Sequence, residues 1–222
     1  MTSRDEYEAY GDREVRAFKE GTCKALVDGR IRRIPFQEVR QAYLAPVIGI
    51  ARAIAAEVGE PIRVLEVGCG NGTNLVILRE ALGKAVELSG IDISPSRLEV
   101  GRKAWGEALD GVEMIAASAT DLSRFEDGSF HLVYSVCTLE QITYDLHDAV
   151  SEMSRLGSSR VVCVEPVPEF GNVEQRLYNI YADQCRTLLP EFDRCGLALE
   201  QQELIPILHN PLSPVGLLVG RK

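Results

Sequence analysis

The stretch Val-Leu-Glu-Val-Gly-Cys-Gly-Asn-Gly-Thr-Asn at residues 64–74 decides the fold of this chain. Its apolar start predicts a buried strand, and its three glycines predict a tight turn at which the backbone can approach a ligand closely. A helical pattern follows over residues 73–82. Because ligands of open parallel sheets bind beyond the carboxyl ends of the strands, this turn is the first candidate for a binding site.

Strand and helix patterns alternate along the rest of the chain. Further strands are predicted at 85–93, 111–117, 129–137, 159–167, 197–207 and 214–220, and further helices at 35–59, 95–109, 146–156 and 174–188. Such alternation is typical of βαβ units, and near-continuous apolar strands are covered on both faces. The sequence therefore predicts an α/β fold with a seven-stranded, mostly parallel sheet, an antiparallel edge strand and helices on both faces.

The chain shows no repeat and no shift in composition that would mark a second large domain. We expect residues 35–222 to form one domain. Residues 1–34 are polar with spaced aromatic side chains, and we expect them to form a helical arm or lid that closes over a bound ligand. A dimer contact or disorder is the alternative for this segment.

Composition excludes several classes of partner. The 222 residues carry 24 Lys and Arg against 33 Asp and Glu, a net charge of −9, which argues against a nucleic-acid partner. The longest mostly apolar stretch, 46–58, is broken by Arg52 and Glu57 and is expected to be too short to span a bilayer. Without a secretory leader pattern, a CxxC pair or histidines at zinc spacing, the six cysteines favour a reduced, cytoplasmic protein with no metal site.

The glycine turn resembles the first motif of class I S-adenosylmethionine-dependent methyltransferases, (V/L)L(D/E)xGxGxG. It matches at Leu65, Glu66, Gly68, Gly70 and Gly72. A nicotinamide-binding turn, GxGxxG, would need a glycine at 73, where Thr73 stands. The resemblance covers about residues 60–167 and implies a Rossmann-like fold with S-adenosylmethionine as cofactor.

The resemblance also implies which residues hold that cofactor. Asp92, 20 residues past Gly72, would accept the ribose hydroxyls, unless it only caps the helix before Pro95. Ile93 would be an apolar wall for adenine, and Ser118 stands where the family often carries an acid. The full set of expected cofactor contacts is Glu66, Gly68, Cys69, Gly70, Asn71, Asn74, Asp92, Ile93, Ser118, Ala119, Thr120 and Ser135.

Acceptor residues are expected after the fourth and fifth strands and in the tail. Glu165, at the end of the fifth strand, is the first candidate for a catalytic base, with Glu140 and His209 after it. Glu165 could instead bond neighbouring loop amides. The expected substrate contacts are Cys137, Gln141, Tyr144, Tyr178 and Tyr181.

We therefore expect O- or N-methylation of a polar small molecule, such as a sugar or a natural-product intermediate. A protein or RNA methyltransferase is the second hypothesis, disfavoured by the acidic balance. A nicotinamide oxidoreductase or a non-catalytic cofactor-binding protein is the third. We expect no nucleic-acid or membrane partner, and a homodimer remains open.

Overall fold

The computed structural model describes residues 13–59, 61–185 and 187–222. Residues 13–20 are helical and lead into a hairpin of β1 (Thr22–Val27) and β2 (Arg30–Pro35). The expectation of a helical arm over 1–34 is therefore wrong for its second half. Asp28 and Gly29 both have positive φ, and an Asp-Gly pair between apolar residues favours a hairpin turn. The first part of that arm, 1–12, lies outside the described residues.

The long helix α1 (Phe36–Val58) follows directly and ends at Gly59, whose φ is 78°. It starts earlier than the apolar stretch at 46–58, and by length and composition it would suffice to cross a membrane. This corrects the expectation that the apolar stretch is too short. One face of the helix is buried in the core against the large sheet, as expected of a core helix of an α/β domain. The residues of that face are Val39, Tyr43, Leu44, Val47, Ala51 and Ile54.

A seven-stranded sheet organises the domain, in the order β5-β4-β3-β6-β7-β10-β8. Its strands are β3 (Ile62–Val67), β4 (Val86–Asp92), β5 (Glu113–Ala116), β6 (Phe130–Val136), β7 (Gly157–Pro166), β8 (Ala198–Leu204) and β10 (Val215–Arg221). The first five are parallel, and β10 runs antiparallel between β7 and the edge strand β8. The expected fold class is confirmed, with the antiparallel strand one position inside the edge.

The remaining helices are α2 (Thr73–Leu82), α3 (Pro95–Trp105), α4 (Leu146–Leu156), α5 (Val173–Tyr181) and α6 (Leu189–Arg194). Helices α1, α2 and α3 bury side chains in one core cluster, and α4 and α6 in the cluster on the other face of the sheet. The helix predicted at 174–188 ends early, because Asp183 adopts a positive φ of 51° and a loop replaces its last turns. A short strand, β9 (Ile207–Leu208), pairs with β1 and ties the tail to the amino-terminal hairpin.

The order of the strands fixes where a site can form. From β3 the chain runs to β4 and β5 on one side, and to β6 and β7 on the other. Strand order therefore reverses between β3 and β6, and the crevice at their carboxyl ends is where ligands of such sheets bind. The loops that begin at Gly68 and at Cys137 meet at this crevice.

Candidate active site

The glycine turn after β3 is closely packed. The amides of Gly68 and Cys69 both donate to the Ile91 carbonyl at 2.8 Å, which folds the turn back over the end of β4. Gly68 has a φ of 77°, and a Cβ there would clash with the side chain of Thr138. A side chain at position 68 is therefore excluded by both conformation and space.

Asp92 links this turn to the end of β4. Its Oδ2 accepts the Gly70 amide and its Oδ1 accepts the Ser94 amide, both at 2.9 Å, and its side chain is buried. The cap of α3 is Ser94, whose hydroxyl accepts the Arg97 amide. The structure thus excludes the alternative of Asp92 as the helix cap, and leaves it as the carboxylate of the cleft.

The side chain of Arg97 covers the glycine turn, which the sequence did not predict. The guanidinium of Arg97 would lie 2.6 Å from a Cβ on Gly70, and its Nη1 lies 3.6 Å from Asp92 Oδ2. Its Nη2 binds Glu14 Oε2 at 2.8 Å, and Asn71 Nδ2 donates to the same oxygen at 3.4 Å. The helical segment at 13–20 therefore reaches the glycine turn, where the expected lid would act.

The floor of the turn is polar and buried. Glu66 is fully buried and accepts the Asn74 side-chain amide at 2.6 Å, and burial raises the pKa of Glu66 to about 7. Asn71 accepts the amide and hydroxyl of Thr73, at 3.2 and 2.6 Å, and so holds the start of α2. Cys69 is buried with them. Asn74 Oδ1 is buried without a hydrogen-bond partner among the described residues, which leaves an acceptor for a ligand or water.

An apolar side chain stands exposed on the other side of Asp92. Ile93 is 77% exposed, which is unusual for a large aliphatic residue at the end of a buried strand. The loop after β5 adjoins it, since the Ala117 amide donates to the Asp92 carbonyl at 3.1 Å. In that loop the hydroxyls of Ser118 and Thr120 bond each other at 2.8 Å, with Ala119 between them packed on the core. An apolar wall beside a buried carboxylate fits a nucleoside.

Glu165 lies beneath the loop after β6. It is fully buried, and both of its oxygens accept the Thr138 amide, at 2.9 and 3.1 Å. Thr138 in turn packs on Gly68 and donates its hydroxyl to the Gly68 carbonyl at 3.3 Å. Burial raises the pKa of Glu165 to about 8. Ser135 is likewise fully buried within β6. This geometry matches the alternative in which Glu165 bonds loop amides.

A cavity of about 190 Å³ lies on the far side of this loop. Tyr43 and His209 meet in it, with 3.0 Å between the hydroxyl and Nδ1. Glu140 accepts the Gln184 side-chain amide at 3.3 Å, and burial raises the pKa of Glu140 to about 6. Burial, with the nearby Arg40, lowers the pKa of His209. The lining residues are Phe36, Val39, Arg40, Tyr43, Cys137, Glu140, Pro166, Gln184, His209, Asn210, Ser213 and Val215.

The cavity brings together only part of the expected acceptor set. Glu140, His209 and Cys137 line it, whereas Glu165 and the three tyrosines expected there do not. Tyr144 and Tyr181 are 88% and 89% exposed, and Tyr178 is half-buried on α5. Gln141 is exposed and donates to the Cys137 carbonyl at 3.2 Å. Sequence reasoning missed Tyr43 and Arg40, because their spacing in α1 indicates only a helix with a buried face.

Comparisons with known proteins show which proteins the chain is similar to. Residues 64–170 match a family model described as a methyltransferase domain. The chain is 32% identical, over 122 residues, to the demethylmenaquinone methyltransferase of Staphylococcus aureus (strain MRSA252). That match covers 54% of this chain and 49% of the relative, so the chain spans about half the length of the curated relatives it matches.

Solved structures extend the likeness to nearly the whole chain. Geranyl diphosphate C-methyltransferase from Streptomyces coelicolor A3(2), in complex with S-adenosyl-L-homocysteine, aligns over 98% of this chain and 97% of its own, with a TM-score of 0.61 and 16% identity. The [4+2]-cyclase SpnF aligns over 100% and 97%, with a TM-score of 0.69 and 14% identity. Residues 64–170 are thus similar in sequence to a methyltransferase domain, and the chain shares the fold of these two solved structures.

Proposed function

We propose that this protein transfers the methyl group of S-adenosylmethionine to a hydroxyl or amine of a polar small molecule held in the cavity at Tyr43 and His209. The observation that carries the proposal is the position of that cavity. Cys137 lines it, and the next residue, Thr138, packs against Gly68 of the cofactor turn. The two sites therefore adjoin across one short loop, as a direct displacement between two bound molecules requires.

The residues present fit the cofactor. Asp92 would hold the ribose, Ile93 and the loop at 118–120 would flank the adenine, and the glycine turn would take the amino-acid part, where Asn74 Oδ1 has no partner among the described residues. S-adenosylmethionine supplies an already activated methyl group on a sulfonium. The chain is left to align the acceptor, exclude water and remove a proton.

His209 is suited to hold that proton. Its lowered pKa keeps the imidazole neutral at neutral pH, so one ring nitrogen has a free lone pair. When Nδ1–H donates to the Tyr43 oxygen, that lone pair is on Nε2 and can accept from a bound hydroxyl or ammonium. Glu140, with its pKa near 6, is charged at neutral pH and would attract a cationic group or a donor hydroxyl.

The dimensions of the cavity favour a small molecule over a macromolecule. A volume of about 190 Å³ is below that of drug-sized pockets and suits a single ring or a short chain. Its lining combines polar groups with Phe36, Val39 and Val215. Two of the similar proteins are named for small-molecule substrates, demethylmenaquinone and geranyl diphosphate, which supports this class of acceptor. All six cysteines are free thiols, which supports a reducing, cytoplasmic location.

An acceptor screen tests the proposal. The protein is incubated with S-adenosylmethionine and a panel of hydroxylated and amino compounds, and release of S-adenosylhomocysteine is measured. His209→Gln should lower kcat by about 10²–10⁴ and leave cofactor affinity unchanged. His131→Gln is the matched control, since His131 accepts the Arg63 amide at the opposite end of β6.

Three outcomes would contradict the proposal. Turnover of His209→Gln within twofold of wild type would remove His209 as the base. Calorimetric binding of NAD without binding of S-adenosylhomocysteine would favour the oxidoreductase instead. Cofactor binding with no product from any acceptor would favour the non-catalytic alternative.

A further inference from the structure

Three side chains with metal-ligating atoms converge where α4 and α6 pack together. His147 is the second residue of α4, Glu191 lies within α6, and Cys195 directly follows α6. One ligand atom from each lies within 4.8 Å of the other two. No sequence motif predicts these three residues as a metal site, because His147 and Glu191 are 44 residues apart in the sequence.

The distances between the donor atoms match a tetrahedral ion. His147 Nδ1 lies 3.0 Å from Glu191 Oε2 and 3.8 Å from Cys195 Sγ. Bond lengths of about 2.0–2.2 Å to nitrogen and oxygen and 2.3 Å to sulfur place tetrahedral donors about 3.3–3.6 Å apart. These two separations lie about 0.3 Å below and about 0.2 Å above this range, and a Glu191 carboxylate oxygen lies within 4.8 Å of Cys195 Sγ, so binding an ion would require small side-chain rotations.

The group is also partly preformed. The side chain of Glu191 is 6% exposed, and its Oε1 is fixed by Arg194 Nη1 at 2.7 Å. Its Oε2 is thereby directed at His147, whose side chain is 56% exposed and leaves one side open to water. Imidazole, thiolate and carboxylate together form a donor set that zinc prefers over magnesium or calcium.

We propose that His147, Glu191 and Cys195 bind one zinc ion, with water in the fourth position. The ion would join α4 to α6, whose buried side chains belong to the same core cluster. The site is separate from the methyl-transfer chemistry, and its part is to stabilise the segment between β7 and β8.

Cobalt titration tests the site without an activity assay. Chelator-treated protein, kept reduced with a phosphine, is titrated with Co²⁺ as a spectroscopic substitute for zinc. One equivalent should produce a thiolate-to-cobalt charge-transfer band in the near ultraviolet and tetrahedral bands in the visible, and Zn²⁺ should displace both. Zinc at one hundred times its dissociation constant should raise Tm by about 5–10 °C.

Variants assign the ligands. Cys195→Ser and His147→Gln should each weaken binding by at least about tenfold, with unchanged circular dichroism. Cys23→Ser is the matched control, because Cys23 is a partly exposed thiol on β1 and should leave the band intact. The proposal is overturned if wild type gives no thiolate band, if either ligand variant binds as wild type does, or if Cys23→Ser loses the band.

Discussion

Replacing Glu165 with glutamine is the sharpest test of how the site is held together. The carboxyl group is fully buried, and both of its oxygens face the Thr138 amide. Burial raises its pKa from 4.5 to about 8. Since the folded protein holds this proton more tightly than the unfolded chain does, the associated stability is complete below pH 4.5 and is lost as pH rises towards 8.

The size of the stability change follows from the difference between the folded and unfolded pKa of Glu165. Each pH unit between the two pKa values costs about 1.4 kcal/mol, so the wild type should lose about 2–3 kcal/mol from this group between pH 5 and pH 7. Glutamine keeps the shape and an oxygen for the Thr138 amide but has no proton to lose. The free energy of unfolding of Glu165→Gln, relative to wild type, should therefore rise by about 2–3 kcal/mol over that interval.

Urea denaturation at pH 5 and pH 7 measures this difference directly. Glu66 titrates in both proteins and cancels in the comparison. Glu126→Gln, which removes an exposed carboxylate, controls for the change in net charge. A difference that stays constant within about 0.5 kcal/mol would refute the assignment of Glu165 as a buried neutral acid. Turnover of Glu165→Gln distinguishes a structural role of Glu165 from a catalytic one. Loss of a catalytic base would lower the rate by about 10²–10⁴.

Three further predictions concern the cofactor cleft. Asp92→Ala should lower S-adenosylhomocysteine affinity, measured by calorimetry, at least about tenfold, because it removes charge-assisted hydrogen bonds to the ribose. Unchanged affinity would mean that the ribose binds elsewhere. Gly70→Val should abolish binding of S-adenosylhomocysteine while circular dichroism stays the same. Position 70 has a φ of 54°, and its Cβ would meet Arg97. A variant that binds normally would point to another site. Proteolysis near Gly21 should slow when S-adenosylhomocysteine binds and quicken in Glu14→Ala, which breaks the 2.8 Å ion pair to Arg97. Equal cleavage in all three samples would argue against a lid.

The local sequence pattern was enough to predict the parallel strands of the core and the glycine turn after β3. Gly68 and Gly70 must be glycine because the backbone there has positive φ and close neighbours, and such requirements are visible in one dimension. Alternating apolar runs likewise report burial, which is why β3 to β7 were predicted within a few residues. The amino-terminal hairpin was missed because its two strands have only six residues each and three arginines interrupt the apolar pattern of β2.

The cavity at Tyr43 and His209 depended on tertiary structure. Tyr43 and His209 are 166 residues apart and meet only because β9 pairs with β1 and brings the tail against α1. Helical spacing marks Tyr43 as a buried position but carries no information on which distant side chain shares its pocket. The sequence by itself determined the fold and the cofactor turn, which rest on backbone conformation and the burial of neighbouring residues. The positions of Glu165 under a loop and of His209 in a cavity were decided by contacts between distant segments, which form only when the sheet and helices pack.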